Sequence, residues 1–104
     1  IFGPVLAILP YRDEDEAVRA ANDTPYGLNA MLFTTDLSRA HRVSRALRVG
    51  TVWTNCFFVR DLEAPFGGSR NSGVGREGGV HSFDFYADVK NVVTAPWQRP
   101  GAPD

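Results

Sequence analysis

A cysteine, two phenylalanines and an arginine stand within five positions, Cys56, Phe57, Phe58 and Arg60, directly after the β-branched and aromatic stretch Thr51-Val52-Trp53-Thr54-Asn55. An apolar wall with one fixed cation beside it suits a small ligand that is partly apolar and partly anionic. Strand ends that run into long loops are where α/β proteins place their chemistry, and the chain from Pro65 onward is so rich in Gly, Ser and Asn that it reads as such a loop. Two readings of Arg60 stand open. It pairs with its neighbour Asp61 in a solvated loop, or it turns toward the phenylalanines, where its planar fork grips a carboxylate through two parallel hydrogen bonds. Cys56 follows a strand end, as a nucleophile often does, yet no His, Lys or Arg adjoins it to lower its pKa. It reads as a small apolar residue lining a pocket.

A second candidate is Gly73-Val74-Gly75-Arg76-Glu77-Gly78, which matches the dinucleotide pattern G-x-G-x-x-G. That pattern works where a strand runs straight into it and an acidic residue about twenty positions on holds a ribose. Residues 65–72 are loop and no acidic residue stands near that distance, so the glycines read as sharp turns that pack closely on their neighbours. His41 and His81 lack a second ligand at metal spacing, and no metal is assigned.

These side chains need elements to hold them. Residues 5–9 read as a buried strand closed by Pro10. Asp13 and Glu16 have capping-box spacing for a helix with Ala17, Val18 and Ala21 inward, stopped by Asn22-Asp23-Thr24-Pro25. Residues 28–34 form a second strand. Asp36 then caps a helix whose Leu37, Ala40, Val43 and Leu47 make one apolar stripe, with Gly50 as its exit. Arg39, Arg42, Arg45 and Arg48 read as a solvated face, not as a nucleic-acid surface. Trp53 belongs to the core. Residues 80–88 make a last helix with Phe83, Tyr86 and Ala87 inward, and residues 91–95 make a terminal edge strand of the kind that pairs with another subunit. The alternation predicts an α/β fold with a parallel sheet, β-α-β-α-β, followed by loop, helix and a terminal oligomerisation strand.

The chain has 104 residues and is 43% hydrophobic, which fits one soluble domain or a piece of a larger one; its first residue is Ile1 and its only methionine is Met31, which favours a piece. The opening apolar run is too short to span a bilayer and has no basic leader. A formal charge of −1 argues against a general role on nucleic acid or membrane, and a lone cysteine fits a reducing, cytoplasmic setting.

Four stretches in order, Ile1-Phe2-Gly3-Pro4-Val5, Ala21-Asn22-Asp23-Thr24-Pro25-Tyr26-Gly27-Leu28, Gly50-Thr51-Val52-Trp53-Thr54-Asn55 and Pro65-Phe66-Gly67-Gly68-Ser69-Arg70-Asn71-Ser72-Gly73-Val74-Gly75-Arg76-Glu77, resemble the C-terminal part of the NAD(P)-dependent aldehyde dehydrogenases. Residues 55–62 and 82–86 are more particularly similar to the hydroxymuconic and carboxymethyl-hydroxymuconic semialdehyde dehydrogenases. The resemblance implies NAD as cofactor, a small semialdehyde as substrate and a homo-oligomer, dimer or tetramer. In that family a cysteine thiolate adds to the aldehyde and a glutamate-activated water releases the acid. Cys56 does not match the nucleophile's motif, so no catalytic residue is assigned, and the chain alone is expected to be inactive. Phe2 matches the aromatic beside the nicotinamide. Cys56, Phe58 and Phe66 match the wall of the aldehyde tunnel, and Arg60 matches the arginine that faces the substrate's carboxylate. The resemblance divides the chain into residues 1–88 of a catalytic domain, an oligomerisation strand at 89–96 and a flexible tail at 97–104. A non-catalytic assembly module built on the same terminal strand is the alternative.

Overall fold

The computed structural model describes residues 3–97 and 100–101. Helix α1 (Glu14–Asn22) leads into strand β1 (Asn29–Leu32), helix α2 (Leu37–Ala46) crosses over to strand β2 (Thr51–Thr54), and a short helix α3 (His81–Tyr86) is the last element among the described residues. β1 and β2 pair in parallel, with Asn29 opposite Thr51 and Leu32 opposite Thr54. The α/β class, the parallel pairing and the crossover are as the sequence predicts, with two strands in the sheet.

Local chemistry explains both long helices. The Asp13 carboxylate accepts from Glu16 N at 2.8 Å at the start of α1, which satisfies one of the donors that a first turn leaves free. The other half of the expected capping box is altered, because the Glu16 carboxylate accepts from Arg12 N at 2.8 Å and from the Arg12 side chain. Asp36 caps α2 by accepting from Arg39 N at 3.1 Å. Ala40 and Val43 of the α2 stripe are buried, Leu47 is half-buried and Leu37 is exposed. The exit of α2 differs from expectation. Leu47 already has extended backbone, and the end is secured from α1, where the Asn22 amide donates to Ala46 O at 2.9 Å and its oxygen accepts from Arg48 N at 2.8 Å.

The two helices are also pinned by charge. Glu14 accepts from Arg42 Nε at 2.6 Å and Nη2 at 2.8 Å, and from Arg39 Nε at 3.2 Å. Arg39 and Arg42 therefore form an interhelical clamp, a contact that the solvated-face reading did not include. The hydrogen bonds from Arg42 first, and then its charge and Arg39, hold the Glu14 carboxyl below its ordinary value.

The core is small. Ala40, Val43 and Trp53 are its buried apolar residues, Trp53 at 5% exposure, and the radius of gyration is 22.9 Å against about 13 Å for a compact domain of 100 residues. Residues 5–9 form no strand, and Val5, Leu6, Ile8 and Leu9 are 64–84% exposed. The same is true of residues 91–95, where Val92 and Val93 stand open. Both runs have strand composition, but a strand is stabilised by a neighbour's ladder, and neither run pairs with the open edge of β1 or of β2. Ala17 and Val18 are half-buried while Ala21 is exposed. In α3 the expected inward face also fails: Phe83, Tyr86 and Ala87 are exposed, and Phe85 is the ring that packs, at 4.8 Å edge-on to Tyr86 and so close over Gly75 that a Cβ there would overlap it. Of the tail, Trp97 is exposed and Pro100 and Gly101 form a turn, while the rest lies outside the described residues. No helix among the described residues is long and apolar enough to cross a membrane.

The Glu14 clamp predicts a pH dependence. A carboxyl with a lowered folded-state pKa adds stability above its ordinary value and loses it as pH falls through the lowered one. Glu14→Gln should therefore lower the denaturation midpoint at pH 7 and leave it unchanged at a pH below the carboxylate range; an equal deficit at both would show that the clamp's charge contributes nothing.

Candidate functional site

The site begins where β2 ends. Asn55 takes left-handed backbone with φ 55°, a conformation that Asn tolerates better than most residues. Its side chain holds the turn by accepting from Thr34 N at 2.8 Å and donating to Thr34 O at 2.7 Å, so the amide continues the β1–β2 ladder by one more rung. Cys56 follows, half-buried and unpaired as a thiol. Phe57 and Phe58 fold back on Trp53, with ring centroids 5.9 and 5.8 Å from the indole and 5.7 Å from each other. The indole nitrogen donates to Val59 O at 2.8 Å, which fixes the chain's path just before Arg60.

Arg60 then leaves that cluster for another. Its guanidinium carbon lies 4.3 Å from the centroid of the Phe66 ring, and Nη2 donates to Glu77 Oε1 at 3.0 Å. Asp61 makes a local turn instead, accepting from Glu63 N at 3.0 Å. Of the two readings of Arg60, the pair with Asp61 is replaced by a stack on Phe66, and the side chain keeps 27% of its surface open. Phe66 is half-buried, and its backbone pairs with Glu77 in both directions, at 2.7 and 2.8 Å. The structure thus brings Arg60 and Phe66 together and sets Phe58 with Trp53 and Phe57, with Cys56 at the strand end between the motifs. Phe2 lies outside the described residues. Glu77 is the member that sequence reasoning missed, since nothing local links a glutamate to an arginine 17 positions earlier.

The glycine-rich stretch is folded on itself. A short 3-10 turn, Arg70–Ser72, precedes it, where a dinucleotide loop needs a strand. Gly78 is packed against the Ala64 carbonyl and Gly67 against the Gly75 carbonyl, so that a Cβ at either would collide with backbone. Arg76 spans the loop, donating to Gly68 O at 2.7 Å, Gly75 O at 2.8 Å and Ser69 Oγ at 3.1 Å. Arg70 ties it to the rest, donating to Asn22 O, Thr24 O and Arg48 O. The loop also rests on β2's approach, because Gly50 lies where a Cβ would overlap the Gly67 carbonyl. Close backbone approach, not helix exit, is what Gly50 supplies.

The sequence pattern of the aldehyde dehydrogenase family matches residues 1–92. The chain belongs to the aldehyde dehydrogenase family. Among curated relatives it is 56% identical over 92 residues to 2-aminomuconic 6-semialdehyde dehydrogenase of a Pseudomonas species and 55% identical over 92 residues to 2-hydroxymuconic semialdehyde dehydrogenase of another Pseudomonas strain, each match covering 88% of this chain and 19% of the relative. It is 56% identical over 95 residues to a mitochondrial aldehyde dehydrogenase of Arabidopsis thaliana, covering 91% of this chain and 18% of that one. The chain therefore spans about a fifth of the length of the curated relatives it matches. Among solved structures, HpcC from Thermus thermophilus superposes with a TM-score of 0.82 at 48% identity, over 93% of this chain and 20% of that one. The indole-3-acetaldehyde dehydrogenase AldA of Pseudomonas syringae, solved with NAD+ and IAA, gives 0.80 at 50% identity over 86% of this chain and 18% of that one.

In this aldehyde dehydrogenase chain three of the four stretches that carry the resemblance double as latches of the fold: Asn22 and Gly27 in the second, Gly50 and Asn55 in the third, Gly67, Arg70, Ser72 and Arg76 in the fourth. Gly50→Ala should force β2 and the glycine loop apart and cost about 1–3 kcal/mol by overpacking, read as a lower denaturation midpoint. Val74→Ala, at an exposed position of the same loop, should leave the midpoint in place; equal behaviour of the two variants would remove the contact from the account.

Proposed function

We propose that this chain forms the C-terminal part of the catalytic domain of a cytoplasmic, homo-oligomeric, NAD-dependent aldehyde dehydrogenase that oxidises a carboxylate-bearing semialdehyde of the muconic type to the acid. The observation that carries the reading is the Arg60 guanidinium, laid on the Phe66 ring and tied at one nitrogen to Glu77. A cation held flat in this way keeps N–H groups for a second, external carboxylate. In an apolar tunnel a substrate carboxylate needs such a partner, because burying it alone is costly. The 55–56% identity to the two muconic semialdehyde dehydrogenases supports the same class. The equal identity to the plant enzyme shows that overall similarity does not choose the substrate, so the choice rests on Arg60.

In this mechanism Arg60 anchors the acid end, Phe66 walls the tunnel beside it, and Phe58 and Cys56 line the approach from the end of β2. Phe66 orients Arg60 by stacking while its backbone pairing with Glu77 keeps the wall in place. A bound NAD would supply the acceptor for the hydride that leaves the aldehyde carbon. The glycine stretch offers no cradle for its phosphates, since Gly75, Gly78 and Gly79 are closed over by Phe85 and by the Ala64 and Glu63 carbonyls, and Phe2 is the residue offered to the nicotinamide. Residues 89–96 pair as a strand with a neighbouring subunit in this reading, in keeping with the exposure of Val89, Val92 and Val93. The same exposure favours the second reading, a non-catalytic assembly module.

Two experiments test the first reading. The 104-residue chain alone should not oxidise aldehydes with NAD, and turnover would place the nucleophile within it. In the full-length enzyme, Arg60→Leu should raise KM for 6-oxohexanoate roughly 10- to 100-fold, the worth of hydrogen bonds to a charged group, with hexanal little changed. Equal effects on both aldehydes would contradict the carboxylate anchor.

A further inference from the structure

The ion pair that fixes Arg60 has a consequence for specificity. Glu77 meets Arg60 at one nitrogen only, Nη2 to Oε1 at 3.0 Å, and half of its side-chain surface is open, at 50% against 27% for Arg60. Its backbone is bonded both ways to Phe66, the ring on which the guanidinium lies. Glu77, Phe66 and Arg60 are thus one unit, in which the position of the cation and the partial cancellation of its charge come from the same residue. The neighbouring charges are turned elsewhere, Arg76 to Gly68 O, Gly75 O and Ser69 Oγ and Asp61 to Glu63 N.

We infer that Glu77 is a positioning and specificity-setting residue: it holds Arg60 on Phe66 and weakens its pull on carboxylates, so that acidic ligands, the semialdehyde acid and its dicarboxylate product alike, are bound but not held too tightly to leave. This rests on Arg60 being the carboxylate anchor. The chemistry of the reaction supplies the reason, since the product that must leave keeps the carboxylate that Arg60 holds. An uncompensated arginine attracts a carboxylate a few ångströms away with an energy that changes affinity several-fold even when water screens it. A shared arginine attracts it less.

The test uses the full-length enzyme and three probes: 6-oxohexanoate, hexanal and adipate. Glu77→Gln keeps an oxygen for Arg60 Nη2 and removes the charge. It should lower KM for 6-oxohexanoate and the inhibition constant of adipate, each roughly three- to tenfold, relative to KM for hexanal, which serves as the internal control for general damage. Added on top of Arg60→Leu, the same substitution should change neither. Unchanged ratios in Glu77→Gln, with Arg60→Leu still raising KM for 6-oxohexanoate far more than for hexanal, would overturn this inference and leave the anchor standing; equal effects of Arg60→Leu on the two aldehydes would remove the anchor. Should Glu77→Gln fail to fold, Glu77→Ser, which also removes the charge and asks for less space, is measured in its place, and an acid-to-neutral ratio at the wild-type value would overturn the proposal equally.

Discussion

The structure depends on a single side chain that collects backbone carbonyls from separate parts of the chain. Arg70 donates to Asn22 O at 3.1 Å, to Thr24 O and to Arg48 O at 3.1 Å. These carbonyls belong to the last residue of α1, to the connection after it and to the turn after α2, which no ladder joins. A planar fork with five N–H groups can satisfy several acceptors at once, as a lysine cannot. Arg70 itself has left-handed backbone, φ 56°, held in the short turn whose Ser72 Oγ accepts from Gly27 N at 2.9 Å. With few apolar residues buried, latches of this kind take the place of a large core.

The consequences reach the site in steps. Once Arg70 is seated, Gly27 and Gly50 admit the glycine loop against the approach to β2, and Ser69 N donates to Gly27 O at 2.8 Å. The loop's two arms are then close enough for Phe66 and Glu77 to pair. Arg60, delivered from the other side by the Trp53 to Val59 bond, lands on the ring and the carboxylate that this pairing presents. The apolar surface left open on residues 5–9, on the Phe57 and Phe58 edge and on residues 89–97 is in keeping with the proposal that this chain forms one wall of a larger catalytic domain.

What could be read from the sequence was whatever is local. The caps at Asp13 and Asp36 were legible because a capping carboxylate acts on a donor three residues away. The β1-α2-β2 crossover was legible because Ala40, Val43 and Leu47 repeat at helical spacing between two strand-forming runs. Trp53 in the core followed from its place in β2. The strands expected at residues 5–9 and 91–95 were not decided by their own residues, because a strand exists only with a partner. Long-range polar contacts were illegible for a related reason. Glu14 with Arg39 and Arg42, Asn22 with Ala46 and Arg48, and Arg60 with Glu77 each join residues 17 to 28 positions apart, and one sequence gives each charge several possible partners. The family motifs were recognisable as a resemblance, but why each residue stands in them became visible only with the latches in place.

The most direct measurement of the central claim is a crystal structure of the full-length enzyme with adipate bound. The account predicts one adipate carboxylate within hydrogen-bond distance of the Arg60 guanidinium, with that group still lying on Phe66 and joined to Glu77. Adipate bound with both carboxylates away from Arg60, and Arg60 turned into solvent off the Phe66 ring, would contradict it.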